Sequence, residues 1–217
     1  MYDNAANRVM MVDTQVRPSD VTKFPIIDAM LRVRREAFVP ENKRIVAYAD
    51  ANIDLGGNRV VLEPRSFAKM LDALDIQRSD VVLDIGCGLG YSAAILAHMA
   101  DAVVAVEEIE TLARDAEAAL ADQGIDNAVV IAGPLAKGAA KHGPYDVICV
   151  EGAVEQMPDE ILAQLKEDGR ILAIFAQGAV GEARLGRMVD GKVSWNAMFN
   201  AGAPVLPGFE TERQFAL

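Results

Sequence analysis

Residues 82–91, VLDIGCGLGY, constrain this chain more than any other stretch. A continuous apolar run ends at Gly86, Gly88 and Gly90, and a helical pattern, YSAAILAHMA, follows at once. Apolar runs without alternation mark strands buried on both faces. Closely spaced glycines after such a strand let backbone approach a ligand without a Cβ clash. The stretch predicts a sheet with a binding site beyond the carboxyl ends of its strands.

The same texture continues downstream. AVVAVE reads as a second buried strand, and IETLARDAEAALADQG as an amphipathic helix that stops at Gly124. AVVIAG and YDVICVEG are further strands. DEILAQLKEDG is expected to be a helix between Pro158 and Gly169, and RILAIFA a fifth strand. Strands alternating with helices of this length imply a parallel sheet with right-handed crossovers. The tail differs. ARLGRMVDGKVSWNAMF reads as two strands around an Asp190-Gly191 hairpin turn, and FETERQFAL is expected to close the sheet edge. Upstream, residues 1–20 are polar and mixed. A helix is expected through FPIIDAMLRV, with Pro25 in its first turn and Asp20 or Thr22 as its cap. Gly56-Gly57 is expected to join two short strands, and FAKMLDAL is a short helix. The reading is an α/β fold, a mostly parallel sheet of about seven strands with helices on both faces, plus an N-terminal helical extension. Residues 1–78 form that extension on the acceptor side of the site, and residues 79–217 the ligand-binding unit.

Charge narrows the partners. Lys and Arg number 21 against 32 Asp and Glu, so the net charge is 21 − 32 = −11. Such a surface repels nucleic acid and anionic membrane. Arg32, Arg34 and Arg35, with Lys43 and Arg44 close behind, read as a solvated helix edge. Cys87 and Cys149 lie in apolar runs without a neighbour at metal-ligand spacing. They are expected to be reduced core thiols, and no metal is expected. The first residues lack the apolar core of a signal peptide, and no apolar stretch reaches the roughly 18 residues of a membrane span. A soluble cytoplasmic protein is expected; the oligomeric state is not readable. His98 and His142 read as packed or solvated side chains. Trp195 and Phe199 are expected to close the sheet edge rather than stack on a ligand. Met10, Met11 and Met30 fit either a mobile N-terminal lid or ordinary core.

The glycine pattern also selects the ligand. The dinucleotide fingerprint is G-x-G-x-x-G, with a pyrophosphate on the helix N-terminus. Here it is D-x-G-x-G-x-G, and Tyr91 stands where that fingerprint wants a glycine. Asp84 places a carboxylate at the strand end, which opposes a pyrophosphate. It favours a ligand with an ammonium and a sulfonium and no phosphate, which is S-adenosylmethionine. Glu107 ends the second strand, 17 residues beyond Gly90, where an acid can accept both ribose hydroxyls. An NAD-dependent oxidoreductase shares that acid but not the Asp84-to-Gly90 spacing.

VLDIGCGLGYSAAILA followed by VVAVEE resembles motif I and the acidic loop of class I S-adenosylmethionine-dependent methyltransferases, a Rossmann-like fold. GPYDVICVEGAVEQMPDEILAQLKEDGRILAI, with the upstream IIDAMLRVRREAFVP, AYAD and LEP, resembles protein-L-isoaspartate O-methyltransferases from about Phe24 to Phe175. The resemblance implies methylation of the α-carboxyl of an L-isoaspartyl residue in a damaged protein or peptide. It implies a cofactor site made of Asp84, Gly86, Cys87, Gly88, Gly90, Tyr91, Glu107 and Glu108, and of Gly133, Pro134 and Leu135 after the third strand. It places Leu62, Glu63, Arg65 and Glu151 at the methyl acceptor. Three positions depart from the family pattern. Leu62 replaces its serine, Gly133-Pro134-Leu135 its Gly-Asp-Gly, and Glu151 its threonine. Glu63 and Glu151 beside a carboxylate acceptor would cost binding energy or shift a pKa, which Arg65 could offset. The alternative is a protein that binds the cofactor but methylates a neutral, amine or hydroxyl acceptor, a small molecule included, with Glu151 as general base, or that has lost catalysis.

Overall fold

A computed structural model describes residues 4–176 and 180–211. The chain opens with α1 (Asn4–Met11), where the sequence shows only a polar stretch. A π-helical turn and a 3-10 turn carry it to α2 (Phe24–Arg32). Pro25 sits in the first turn of α2 as expected, but the capping position is Lys23, without a side-chain cap, rather than Asp20 or Thr22. Met11 and Met30 are buried in the core and Met10 is exposed. Strands β1 (Ile53–Gly56) and β2 (Arg59–Val61) form a separate hairpin around Gly57 and Asn58, both at positive φ. Helix α3 (Pro64–Leu74) leads into the main sheet.

That sheet alternates β3 (Val81–Ile85), α4 (Tyr91–Met99), β4 (Ala102–Glu107), α5 (Glu110–Asp122) and β5 (Ala128–Ala132). It continues through β6 (Tyr145–Val154), α6 (Asp159–Leu162), β7 (Leu165–Phe175), β8 (Glu182–Val189) and β9 (Lys192–Asn200). The strand order is β5-β4-β3-β6-β7-β8-β9. The first five strands in that order run parallel, in four pairs, and β8 and β9 each pair antiparallel. The order reverses between β3 and β6, so a crevice opens beyond the carboxyl ends of β3, β4 and β6. This is the expected Rossmann-like architecture, a mostly parallel seven-stranded sheet. Alternate residues of β3 serve opposite faces: Val82 joins the core under α2, α3 and α4, and Leu83 and Ile85 the core on the other side. Each such fully buried aliphatic side chain contributes about 1.5–3 kcal/mol. Helix α4 is buried nearly all round, because α2 covers the face that the sheet leaves.

One expectation needs correction. The helix of DEILAQLKEDG ends at Leu162, and LKEDG already belongs to β7. The Gln164 carbonyl accepts the Tyr145 N–H at 2.8 Å, so the backbone there is committed to the sheet. The Gln164 amide bonds the Glu160 and Lys137 carbonyls, which ends the helix after about one turn. As far as residue 211 the tail adds no strand to the sheet, whose edge among the described residues is β9. Val205 bridges Ala153, and Phe209 is fully buried at the carboxyl end of β6. The rest of FETERQFAL, from residue 212, lies outside the described residues. Trp195 packs edge-on against Phe175 at 4.9 Å, within the antiparallel part of the sheet. Asp190 and Gly191 hold positive φ, as a tight hairpin turn needs. Among the described residues no helix is long and apolar enough to cross a membrane.

Candidate functional site

The strand alternation that points Val82 toward the helices points Asp84 there too, at the end of β3. Its carboxylate is fully buried. Ser92, in the first turn of α4, donates to Oδ2 at 2.6 Å, and Oδ1 has no partner. Burial pushes Asp84 up to about 7; the Ser92 hydroxyl opposes the shift and the Glu107 charge adds to it. The turn after β3 is tied by Gly86 N–H to the Val106 carbonyl at 2.9 Å and by Gly90 N–H to the Cys87 carbonyl at 2.8 Å. Gly88 has φ +57°, and a Cβ there would lie 2.6 Å from Leu55 of the hairpin. Only glycine meets both demands. Cys87 is buried, and burial raises its thiol well above the usual range, so it is an inert packing group.

Glu107, at the end of β4, is fully buried and fully bonded. It accepts Gly88 N–H at 3.0 Å, Ile109 N–H at 2.9 Å, and Arg59 Nε on both oxygens at 3.0 and 3.1 Å. Arg59 comes from the hairpin and is itself fully buried. Glu108 lies outside this pair, half-exposed, 3.6 Å from Arg59 Nη2. Past β5, Gly133 N–H bonds the Glu107 carbonyl, Pro134 is exposed and Leu135 is buried. That loop offers a ligand backbone carbonyls and no polar side chain. Leu206 of the tail closes the crevice from above. A Cβ on Gly152 would lie 2.5 Å from it, and one on Gly86 3.4 Å.

Glu151, near the end of β6, is buried and accepts the Cys149 thiol at 3.1 Å. Burial and then the Asp84 charge push it well above the ordinary carboxylate range, against the opposing Cys149 bond and the Arg35 charge. The structure thus gathers Asp84, the glycine turn, Glu107, Glu108, Gly133 and Glu151 at one end of the sheet. Tyr91 is on the far side of the turn. Its ring packs against Phe38 and Phe67, with the Arg35 guanidinium 4.6 Å from its centre. Leu62 is buried. Glu63 is bound locally, its carboxylate to Ser66 and its N–H to Asn52. Arg65 is exposed and lines a surface cleft of about 310 Å³ with Gln15, Asp20, Asp50 and Lys69.

Sequence reading missed three contributors. Arg35 is no solvated edge: it is fully buried, donates to the Ala47 and Leu62 carbonyls at 2.7 Å each, and keeps Nη1 unpaired. Arg32 and Arg34 are exposed. Arg59 and Leu206 cover the crevice. The one available signal was Arg59 itself, a lone charge opening the apolar run RVVL.

The buried acids make stability depend on pH. Asp84 stays protonated in the folded protein up to about pH 7 but ionises near 3.8 when unfolded. Between those values the folded state holds the extra proton. Stability from this group is therefore full below about pH 4 and lost as the pH rises toward 7. Glu151 acts in the same sense. Urea midpoints are expected to fall from pH 5 to pH 8, and Asp84→Asn to flatten that fall. Parallel curves for the two proteins would mean that Asp84 is ionised throughout.

Comparisons with known proteins bear on the family and the fold. The family model described as protein-L-isoaspartate(D-aspartate) O-methyltransferase matches residues 7–197. Protein-L-isoaspartate O-methyltransferase 1 of Rhodopseudomonas palustris (strain HaA2) is 38% identical over 77% of this chain and 69% of its own. The protein-L-isoaspartate O-methyltransferase of strain ATCC BAA-98 / CGA009 is 40% identical over 75% and 74%. A solved protein-L-isoaspartate O-methyltransferase superposes with a TM-score of 0.81 at 24% identity, over 94% of this chain. This chain spans 66% of that one, just under two thirds. A putative protein-L-isoaspartate O-methyltransferase of Plasmodium falciparum, solved with S-adenosyl-L-homocysteine, superposes with a TM-score of 0.78 at 16% identity, over 95% and 99%. At these identities the two structures speak for the fold alone.

Proposed function

This chain belongs to the protein-L-isoaspartate(D-aspartate) O-methyltransferase family, and from that premise we propose that it uses S-adenosylmethionine to methylate the α-carboxyl of an L-isoaspartyl residue in a damaged protein or peptide. The family match over residues 7–197 carries the reading. The donor set fits the cofactor. Asp84 keeps one buried oxygen unspent, which suits a ligand ammonium or hydroxyl. Glu107 presents a carboxylate for a ribose, and the glycine turn admits a ligand against its backbone.

Bound S-adenosylmethionine supplies a methyl group already activated by its sulfonium. The acceptor carboxylate is ionised at neutral pH, since such groups titrate near 4, so the protein has no proton to remove. Its work is alignment and exclusion of water. Leu55 and Leu206 exclude water over the glycine turn. On the acceptor side, the expected repulsion from two acids is reduced. Glu63 is engaged by Ser66 and Asn52. Glu151 is pushed toward its neutral form, in which it donates to an anion instead of repelling it. Arg35, bonded to the Leu62 carbonyl and with Nη1 unspent, contributes positive charge from below. A net charge of −11 weighs against a nucleic acid or an anionic membrane as partner, and free buried thiols fit a cytoplasmic setting.

The test is transfer of radiolabelled methyl to an isoaspartyl peptide, with its aspartyl twin as control and S-adenosylhomocysteine calorimetry alongside. Selective labelling of the isoaspartyl peptide is expected. Cofactor binding with neither peptide labelled would overturn the acceptor and leave the cofactor.

A further inference from the structure

A carboxylate has about four acceptor positions, two on each oxygen. On Glu107 three N–H groups cover them, because the single Arg59 Nε–H is shared between both oxygens. Ile109 N–H and one contact of Arg59 Nε share Oε1; Gly88 N–H and the other contact of Arg59 Nε share Oε2. A ribose cis-diol bound to such an acid gives it one hydroxyl per oxygen. Ile109 and Gly88 donate from backbone that the sheet and the turn hold in place. The two positions a diol can take are therefore those spanned by Arg59 Nε. Guanidinium and diol exclude each other.

Arg59 has somewhere to go. Its Nη2 lacks a hydrogen-bond partner and lies 3.6 Å from the Glu108 carboxylate, whose side chain is 41% exposed. Its Nη1 bonds the Gly57 carbonyl at 3.2 Å, so the group travels with the hairpin turn. A buried Glu107 stripped of donors would be costly, so Arg59 holds the acid until the two hydroxyl donors of a ligand take over, with the guanidinium still close by at Glu108.

Resting on the cofactor reading above, we infer that Arg59 gates the cofactor site: it competes with the ribose diol for Glu107, and cofactor entry moves its guanidinium to Glu108. Arg59 thereby sets cofactor affinity without being part of the methyl transfer.

Calorimetry with S-adenosylhomocysteine and its 2′-deoxy analogue tests the gate on the wild type, Arg59→Gln and Glu108→Gln. Removing a competitor that holds the site about nine tenths of the time tightens binding about tenfold. That gain is expected for Arg59→Gln with the diol ligand and is mostly lost with the deoxy analogue. Glu108→Gln, which removes the alternative partner, is expected to weaken binding about threefold. Equal or weaker binding by Arg59→Gln, with the wild type binding well, overturns the gate and leaves the cofactor reading intact. A gain of the same size for both ligands also overturns it, since general loosening does not distinguish a diol. No binding by any folded protein at millimolar ligand overturns the cofactor reading and the gate together. Should Arg59→Gln fail to fold, Glu108→Gln decides with the two ligands: unchanged affinity, or a loss of the same size for the diol ligand and its deoxy analogue, overturns the gate.

Discussion

Glu107→Ala is expected to lose about 3–5 kcal/mol of folding stability, because it leaves the Arg59 guanidinium buried with its principal partner removed. Arg59 and Glu107 are 1% and 0% exposed at their side chains, so water does not screen the loss. The variant also strips Gly88 N–H and Ile109 N–H of their acceptor, which loosens the turn that shapes the site. Urea unfolding measures the first effect and calorimetry with S-adenosylhomocysteine the second, where binding should vanish. The double variant Glu107→Ala, Arg59→Met should recover a large part of the stability and none of the binding. A single variant within about 1 kcal/mol of the wild type would mean that the pair is solvated in solution.

Phe209→Ala should cost a similar amount, about 3–5 kcal/mol, as for other fully buried phenylalanines. Phe209 is 0% exposed, although it lies in a segment without regular structure. Its carbonyl accepts the N–H groups of Glu155 and Gln156 at 2.9 and 3.1 Å. Three residues earlier, Leu206 covers the glycine turn, so a loosened tail also uncovers the crevice. Weaker S-adenosylhomocysteine binding should accompany the lost stability. A small stability change with unaltered binding would show that the tail does not hold the crevice shut.

The parallel sheet was legible because its strands are apolar runs punctuated by glycines, and few other folds use that pattern. Asp84, Glu107 and the glycine turn were legible for the same reason: they sit where strands end. What escaped notice was decided by contacts distant in sequence. Charged residue types are expected at the surface. Arg35 and Arg59 are buried because partners 12 to 48 residues away satisfy them, which local pattern does not show. Gln164 ended a helix that periodicity would have continued, through bonds to Lys137 and a commitment to Tyr145. Leu206 and Phe209 lie among prolines and glycines, where no period marks a buried face. Helix α1 is short, and its polar composition hid the one side that packs.

The cover of the crevice is drawn from opposite regions of the chain. Asn52 bonds the Gly202 carbonyl across 150 positions, and Asn58 the Val205 carbonyl across 147. Contacts of such separation close large loops, and their entropic cost falls due before their enthalpy is gained. The hairpin is made early in synthesis yet has nothing to dock on until β3, β4 and the tail exist. The site should therefore be the last region to assemble and the first to come apart. In hydrogen exchange, the amides of the hairpin and the tail should report a shared opening of lower free energy than that of β3 and β6. Ligand entry can then use a motion that the folding order already provides.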